Sequence, residues 1–143
     1  MSGLNEELEA MGVEATLTLV PDAPSPEMAQ FERCKAWLEA GLEYSPLTMV
    51  DVLQAVQRGA LFWPGKGCAM VTEIAPFGDG KAISVLTAGG DMAELKQMAL
   101  GVEAFGRLNG CTVAMIEGRK GWERAMKDDG YRFQSVTLVK DLG

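Results

Sequence analysis

Residues 81–116 read KAISVLTAGGDMAELKQMALGVEAFGRLNGCTVAMI, and this stretch decides the fold. Its β-rich start is broken at Gly89-Gly90, and Asp91, with a glutamate three residues later, is the pattern of a helix start. An apolar face with helical spacing continues to the stop signal Asn109-Gly110. Residues 111–116 are then almost continuously apolar, as in a strand that is covered on both faces. The stretch therefore predicts a β-α-β unit with two parallel strands.

Three antiparallel strands are predicted over residues 60–87, and the last of them is also the first strand of this unit. Two helices are predicted before these strands. Residues 60–63, 68–75 and 81–87 are β-rich and are separated by the turn sequences Pro-Gly-Lys-Gly and Pro-Phe-Gly-Asp-Gly. Upstream, Ser25 and Pro26 are typical of a helix start, and the apolar spacing continues to about Gly41. Thr48, with an aspartate three residues later, is close to a capping box and predicts a second helix that ends at Gly59.

The two ends of the chain complete the predicted architecture. Residues 118–129 indicate a short helix that is followed by a strand over 131–140, and residues 15–20 alternate as a strand does. Residues 1–14 are predicted to form an arm or short helix outside a single domain, 15–143. The sequence thus predicts an α/β (α+β mixed sheet) fold with about six strands, a β-α-β core and four helices.

Composition excludes several classes of function. The chain has 143 residues and a net charge of −7, with 20 acidic and 13 basic side chains, so its field repels phosphate backbones and predicts no nucleic-acid partner. No apolar run approaches the roughly 20 residues that span a bilayer, which predicts no membrane association. The first twelve residues hold three glutamates and no basic residue, unlike a secretory signal, so a cytoplasmic location is expected.

Cysteine and histidine usage narrows the chemistry further. Cys34, Cys68 and Cys111 are odd in number and widely spaced, which predicts reduced, buried thiols and neither a disulfide framework nor a zinc site. The chain has no histidine, so Ser-His and Cys-His nucleophile pairs and histidine-ligated metals have no candidate. No metal cofactor is predicted.

The order of elements and several short motifs resemble the GNAT acyltransferase superfamily. Residues 119–131, RKGWERAMKDDGY, resemble the last helix of that family, which commonly closes with Gly-Phe before the final strand. Together with Trp63-Pro64, the run 71–74 and the run 88–91, they are similar to the GNAT-like proteins that bacteriophages encode. The resemblance implies a sheet whose central strands splay apart to hold an acyl-CoA, such as acetyl-CoA.

The resemblance also implies where a cofactor would bind. The candidate cofactor-binding residues are Thr87, Ala88, Gly89, Gly90, Asp91, Arg119 and Lys120. Glycines before a helix can present backbone N–H groups and a helix amino terminus to a pyrophosphate. The same glycines can instead form a tight turn in which Asp91 is simply the helix cap, and Arg119 and Lys120 can be a solvated helix start.

Two carboxylates are candidate catalytic bases in that resemblance. Glu73 lies in the predicted meander and Glu117 ends the strand beside the expected cleft, and either can accept a proton from an amine directly or through water. Both can also be ordinary solvent-facing carboxylates. Members of the family often have a tyrosine general acid in this last helix, before the closing glycine. In this chain the corresponding positions before Gly130 are Arg119, Ala125 and Met126.

Two functions are therefore in competition. The first is an acyl-CoA-dependent N-acyltransferase of bacteriophage type. The second is a non-catalytic protein on the same fold, which assembles into a virion or binds a host protein, and which would be located in the host cytoplasm or in the virion. A third, weaker alternative is a small-anion or metabolite sensor that uses the cleft without chemistry. The residues favour no particular oligomeric state.

Overall fold

The structure of the chain is a computed structural model, which describes residues 26–43, 45–117, 121–132, 138 and 140–142. The chain divides into two compact units, Met1–Lys35 and Ala36–Gly143. In the first unit the structure describes residues 26–35, which form the beginning of a helix. The predicted arm over 1–14 and the predicted strand over 15–20 lie outside the described residues.

Four α-helices are present in the described part of the chain, as the sequence predicted. They are α1 (Pro26–Gly41), α2 (Met49–Gln57), α3 (Met92–Leu108) and α4 (Gly121–Met126), with a 3₁₀ turn at Lys127–Asp129. The capping box predicted at Thr48 is confirmed, because its side chain accepts from the Asp51 N–H while its own N–H donates to the Asp51 carboxylate. These local hydrogen bonds fix where α2 begins. No described helix is long and apolar enough to cross a membrane.

The sheet has four strands in the order β1-β2-β3-β4. They are β1 (Leu61–Pro64), β2 (Cys68–Phe77), β3 (Gly80–Gly90) and β4 (Val113–Ile116). The first two pairings are antiparallel and β3 pairs with β4 in parallel across α3, which confirms the predicted meander and β-α-β unit.

The number of strands and one strand boundary differ from the sequence prediction. The described residues hold four strands, not about six, and the two others were predicted over 15–20 and 131–140, much of which lies outside the described part. The predicted break at Ala88-Gly89-Gly90 was wrong, since β3 continues through Gly90. The reason is that Ala88, Gly89 and Gly90 pair with Met70, Ala69 and Cys68 on β2, a long-range contact that local sequence cannot show.

The main hydrophobic core lies between the sheet and α3. Its buried members come from three elements, with Trp63, Phe105 and Trp122 packed against them. The buried residues of this core are Cys68, Met70, Ile83, Val85, Ala88, Leu95 and Val102. Trp122, at the start of α4, is thus part of the packing of this core. Each buried aliphatic side chain contributes about 1.5–3 kcal/mol, which holds α3 against the strands.

The opposite face of the sheet is covered by other helices. Thr87 Oγ1 donates to the Leu38 carbonyl oxygen at 2.7 Å, which ties β3 to the last turns of α1. Val52 and Ala55 of α2 are buried. Cys34, Cys68 and Cys111 are free thiols, as predicted. The predicted burial is confirmed for Cys34 and Cys68 and was wrong for Cys111, which is half-buried.

Candidate active-site cleft

Strands β3 and β4 separate before β3 ends. Their parallel register runs from Ala82 opposite Val113 to Val85 opposite Ile116, and β4 stops there. Strand β3 continues for five more residues, 86–90, of which 87–90 pair with β2, and these residues have no pairing partner on the other side among the described strands. Backbone N–H and C=O groups alternate between the two edges of a strand, so part of this segment faces the β4 side with no described strand opposite.

An irregularity in the ladder lies at the same point. Val71 pairs with Thr87, and the next residue, Thr72, pairs with Val85, so Leu86 is an extra residue in β3. Such bulges locally disrupt a ladder and re-aim side chains, and they are frequent beside functional sites. The bulge and the end of the β3–β4 pairing therefore coincide at Leu86.

A half-open cleft of about 210 Å³ lies beside this bulge. One face of α2 forms one wall, and β2 and β3 supply Glu73 and Leu86 on the other. The lining residues are Leu47, Asp51, Gln54, Ala55, Arg58, Glu73 and Leu86. The members on and just before α2 repeat at helical spacing, which places them along a single stripe. The cleft thus combines an apolar floor with four polar side chains.

The register brings both predicted bases close to the bulge along the sheet. Glu73 is half-buried, pairs with Ser84 two residues from Leu86, and lines the cleft. Glu117 is exposed and directly follows Ile116, whose β3 partner Val85 precedes Leu86. Only Glu73 is part of the cleft wall. In the described part of the chain it has no ion-pair partner, so its carboxylate is available to a ligand.

The predicted glycine turn packs against the protein's own backbone. Thr87, Ala88 and Gly89 are buried, while Gly90 and Asp91 are exposed. A Cβ atom on Gly89 would lie 2.1 Å from the Trp37 carbonyl oxygen. A Cβ atom on Gly90 would lie 2.3 Å from the Gly67 carbonyl oxygen. Both glycines are therefore required by close contacts within the chain. They belong to β3 and do not form the tight turn that the alternative interpretation expected.

The start of α3 is occupied by two carboxylates. Asp91 caps the helix by accepting from the Glu94 N–H at 2.8 Å. Glu94 does not return to the cap, as it would in a capping box, but accepts from the N–H groups of Lys66 and Gly67 at 2.7 and 2.8 Å. The positive end of the helix dipole already faces negative groups of the chain itself. An incoming pyrophosphate would meet both carboxylates.

The remaining sequence predictions concern residues elsewhere. Arg119 and Lys120 lie outside the described residues, so their role as an anion-binding pair stays a prediction. Among the described residues there is no group of three or more side chains suited to hold a metal ion.

Comparisons with known proteins connect this fold to solved structures. No protein-family model and no curated protein matches the chain. An acetyltransferase of Trypanosoma brucei is 13% identical with a TM-score of 0.50, over 76% of this chain and 94% of that one. Wild-type TTHA1254 of Thermus thermophilus is 17% identical with a TM-score of 0.55, over 85% of this chain and 96% of that one, and its point variant gives 0.56. The chain therefore has a mixed α/β fold similar to that of an acetyltransferase.

Sequence reasoning named Glu73 but missed the rest of the cleft. Gln54 and Arg58 went unnoticed, although positions 47, 51, 54, 55 and 58 follow the spacing of one helix face. That spacing was the available signal. Leu86 carried no signal at all, because its role depends on the register between two strands.

Proposed function

We propose that this chain is an acyl-CoA-dependent N-acyltransferase whose acceptor amine binds in the Glu73 cleft. The observation that carries the proposal is the coincidence of three features at Leu86: the end of the β3–β4 pairing, the bulge, and a cleft lined by an available carboxylate. The likeness of the fold to an acetyltransferase supports the same proposal.

Acyl-CoA would supply the acyl group as an activated thioester. The β4-side edge of β3 over residues 86–90, which faces no described strand, suits the amide-bearing arm of this cofactor, because an extended chain can pair with the backbone groups of a strand edge as an added strand does. The start of α3 does not suit the pyrophosphate, since Asp91 and Glu94 already occupy it. The fit is thus good along the strand edge and poor at the helix end.

Glu73 is the residue to which we assign proton transfer. It would accept the proton that the acceptor amine loses as the new C–N bond forms, directly or through one water molecule. When the C–S bond breaks, the leaving thiolate takes a proton from the Glu73 carboxyl or from water. Backbone N–H groups of β3 on the edge that faces no described strand would hold the thioester carbonyl in place.

Isothermal titration with acetyl-CoA, free CoA and S-acetylpantetheine tests the proposal. We expect acetyl-CoA to bind with a dissociation constant below about 100 μM, which corresponds to about −5.5 kcal/mol. Glu73→Gln should then reduce the transfer rate by about 10²-fold or more without changing acetyl-CoA affinity. Glu39→Gln on the exposed side of α1 is the matched control and should leave the rate unchanged. Absence of binding at millimolar acetyl-CoA would refute the proposal.

A second candidate function is favoured by the two carboxylates at the start of α3. A non-catalytic protein on this fold has no need of an anion site there, and Asp91 and Glu94 would then serve stability alone. The resemblance to bacteriophage proteins makes virion assembly or host-protein binding the form this alternative would take. It predicts no acetyl-CoA binding and a stable protein partner on co-purification from infected cells or particles.

A further inference from the structure

The cleft carries a cationic side chain as well as the carboxylate that the proposed reaction uses. Arg58 from the end of α2 and Glu73 from β2 line the same 210 Å³ space. Arg58 is exposed, and no ion-pair partner for it is found among the described residues. A guanidinium has a rigid donor fork that matches a carboxylate. The cleft therefore offers separate positions for an ammonium and for a carboxylate.

Four polar side chains line the cleft, and we assign recognition of the ligand's charged groups to Arg58 and Glu73. Asp51 Oδ2 accepts from the Thr48 N–H at 2.9 Å and from Thr48 Oγ1 at 3.1 Å, so this carboxylate is engaged in the cap of α2. Gln54 lies on the same helix face between Asp51 and Arg58 and can donate a second hydrogen bond to a bound carboxylate. Glu73, whose carboxylate makes no hydrogen bond or ion pair within the described part of the chain, is therefore the carboxylate that we assign to an ammonium.

The size and apolar lining of the cleft limit what can bind. Clefts for drug-sized ligands enclose about 300–1,000 Å³, and this one is smaller. Leu47, Ala55 and Leu86 supply apolar surface between the charged groups. That combination suits a small molecule that carries both charges and a short aliphatic side chain.

We infer that the acceptor is a small amino-carboxylate, an aliphatic amino acid, with its amino group at Glu73 and its carboxylate at Arg58. The inference rests on the proposed acyltransferase function and names the substrate class of the same site. A diamine would satisfy Glu73 but would place its second cation against Arg58, and a simple monoamine would leave Arg58 without a partner. Both are therefore weaker ligands for this cleft.

Direct binding without acyl-CoA tests this inference apart from the proposed function. Backbone amide resonances of the full chain are followed by NMR during titration with alanine, valine and leucine. The matched ligands are ethylamine, 2-methylpropylamine and 3-methylbutylamine, which lack only the carboxylate, and 1,4-diaminobutane. We expect at least one amino acid to shift resonances of α2 and of Glu73 with a dissociation constant on the order of 1 mM.

The decisive quantity is the ratio between the dissociation constants of each amine and of the matching amino acid. We expect the matched amine and the diamine to bind about tenfold more weakly than the amino acid, and Arg58→Gln to abolish that preference. Arg124→Gln, an equal change of charge at an exposed position on α4 outside the cleft lining, should preserve it. The thermal unfolding midpoint of each variant is measured alongside to confirm folding.

Two results would overturn the inference: no amino acid perturbs the cleft resonances, or the amines bind as tightly as the acids. Its failure can be separated from failure of the proposed function. A chain that binds acetyl-CoA but shows no preference for acids refutes only the inference about the acceptor. A chain that binds amino acids but not acetyl-CoA refutes the acyltransferase proposal, and with it the role of acceptor, while the cleft remains an amino-acid site.

Discussion

Gly90 has a backbone conformation and surroundings that both exclude a side chain. Its φ is +111°, and a Cβ atom there would lie 2.3 Å from Gly67 O and 2.5 Å from Cys68 Cα. Gly59 has a similar φ of +114° but has no other atom within 4 Å of the same position. Alanine substitutions at these two glycines therefore separate the free-energy cost of an unfavourable φ from the cost of a collision with the β1–β2 turn.

We expect Gly90→Ala to be far more destabilising than Gly59→Ala. A side chain at positive φ costs about 1–3 kcal/mol, and that is the whole penalty at Gly59. Gly90→Ala should cost at least about 2 kcal/mol more, because backbone atoms of β2 must move. Urea denaturation of both variants measures the difference. Equal losses of stability in the two variants would show that the β1–β2 turn moves at little cost, and that only the positive φ requires glycine at position 90.

Tyr131 is a residue whose titration is coupled to folding. Its hydroxyl donates to Glu103 Oε2 at 2.8 Å. Burial raises the pKa of Tyr131 above its ordinary value of 10.0, and the hydrogen bond to Glu103 and the charge of that carboxylate raise it further. The folded chain therefore holds the phenolic proton more tightly than the unfolded chain does. This contribution to stability is complete below pH 10.0 and is lost as the pH rises through the folded-state pKa.

The expected result is a pH-dependent effect of Tyr131→Phe. Near neutral pH the variant should unfold at lower urea concentration than the natural chain, because a hydrogen bond to a charged group is lost. Above about pH 10 the natural chain should lose stability with pH while the variant does not lose this component. The two unfolding curves should therefore approach each other as the pH rises. A constant difference from neutral to alkaline pH would contradict the coupling.

At the scale of elements, Glu94 joins the start of α3 to the turn between β1 and β2. Its carboxylate accepts from two backbone N–H groups, those of Lys66 and Gly67, which lie 28 and 27 residues away in the sequence. Asp91 N–H also donates to Gly67 O at 2.8 Å. The helix start and the turn are therefore one connected unit.

Glu94→Ala should destabilise the chain by about 2–3 kcal/mol, because two charge-assisted hydrogen bonds are lost and two backbone donors are left without them. Glu94→Gln should cost less, since an amide oxygen still accepts one of the two bonds. Gln97→Ala, at an exposed position on the same helix, is the control and should change stability by less than about 0.5 kcal/mol. Thermal and urea unfolding provide the measurement. If Glu94→Ala loses no more stability than Gln97→Ala, Glu94 does not stabilise the junction between the start of α3 and the β1–β2 turn.

The elements themselves were largely predictable from sequence, because their boundaries depend on neighbouring residues. The cap at Thr48, the start of α3 at Asp91 and its end at Asn109 all rest on hydrogen bonds within four residues. Strand β3 was predicted too short because its last residues are held by β2, not by local preference. The bulge at Leu86 arises from the same pairing. Local signals therefore located the helices and missed the feature that shapes the cleft.

At the scale of the whole molecule, the candidate site was only partly predictable for the same reason. Glu73 stood out as a carboxylate in the meander, yet Arg58 becomes relevant only when α2 is placed against β2 and β3. A polar residue on a helix is ordinary in sequence. Its function depends on what the opposite wall of a cleft presents, which is a property of tertiary packing.

The net charge of −7 leads to a prediction about cofactor binding by the whole chain. Acetyl-CoA is a polyanion, and in the described part of the site the helix start adds Asp91 and Glu94 to the repulsion. Salt screens such repulsion, with a Debye length of about 30 Å at 0.01 M and about 10 Å at 0.1 M. We therefore expect acetyl-CoA affinity to rise several-fold over that range of NaCl, while the affinity for uncharged S-acetylpantetheine stays constant. Affinity that falls with salt would show instead that a local cationic pair, for which Arg119 and Lys120 are the candidates, dominates over the field of the whole molecule.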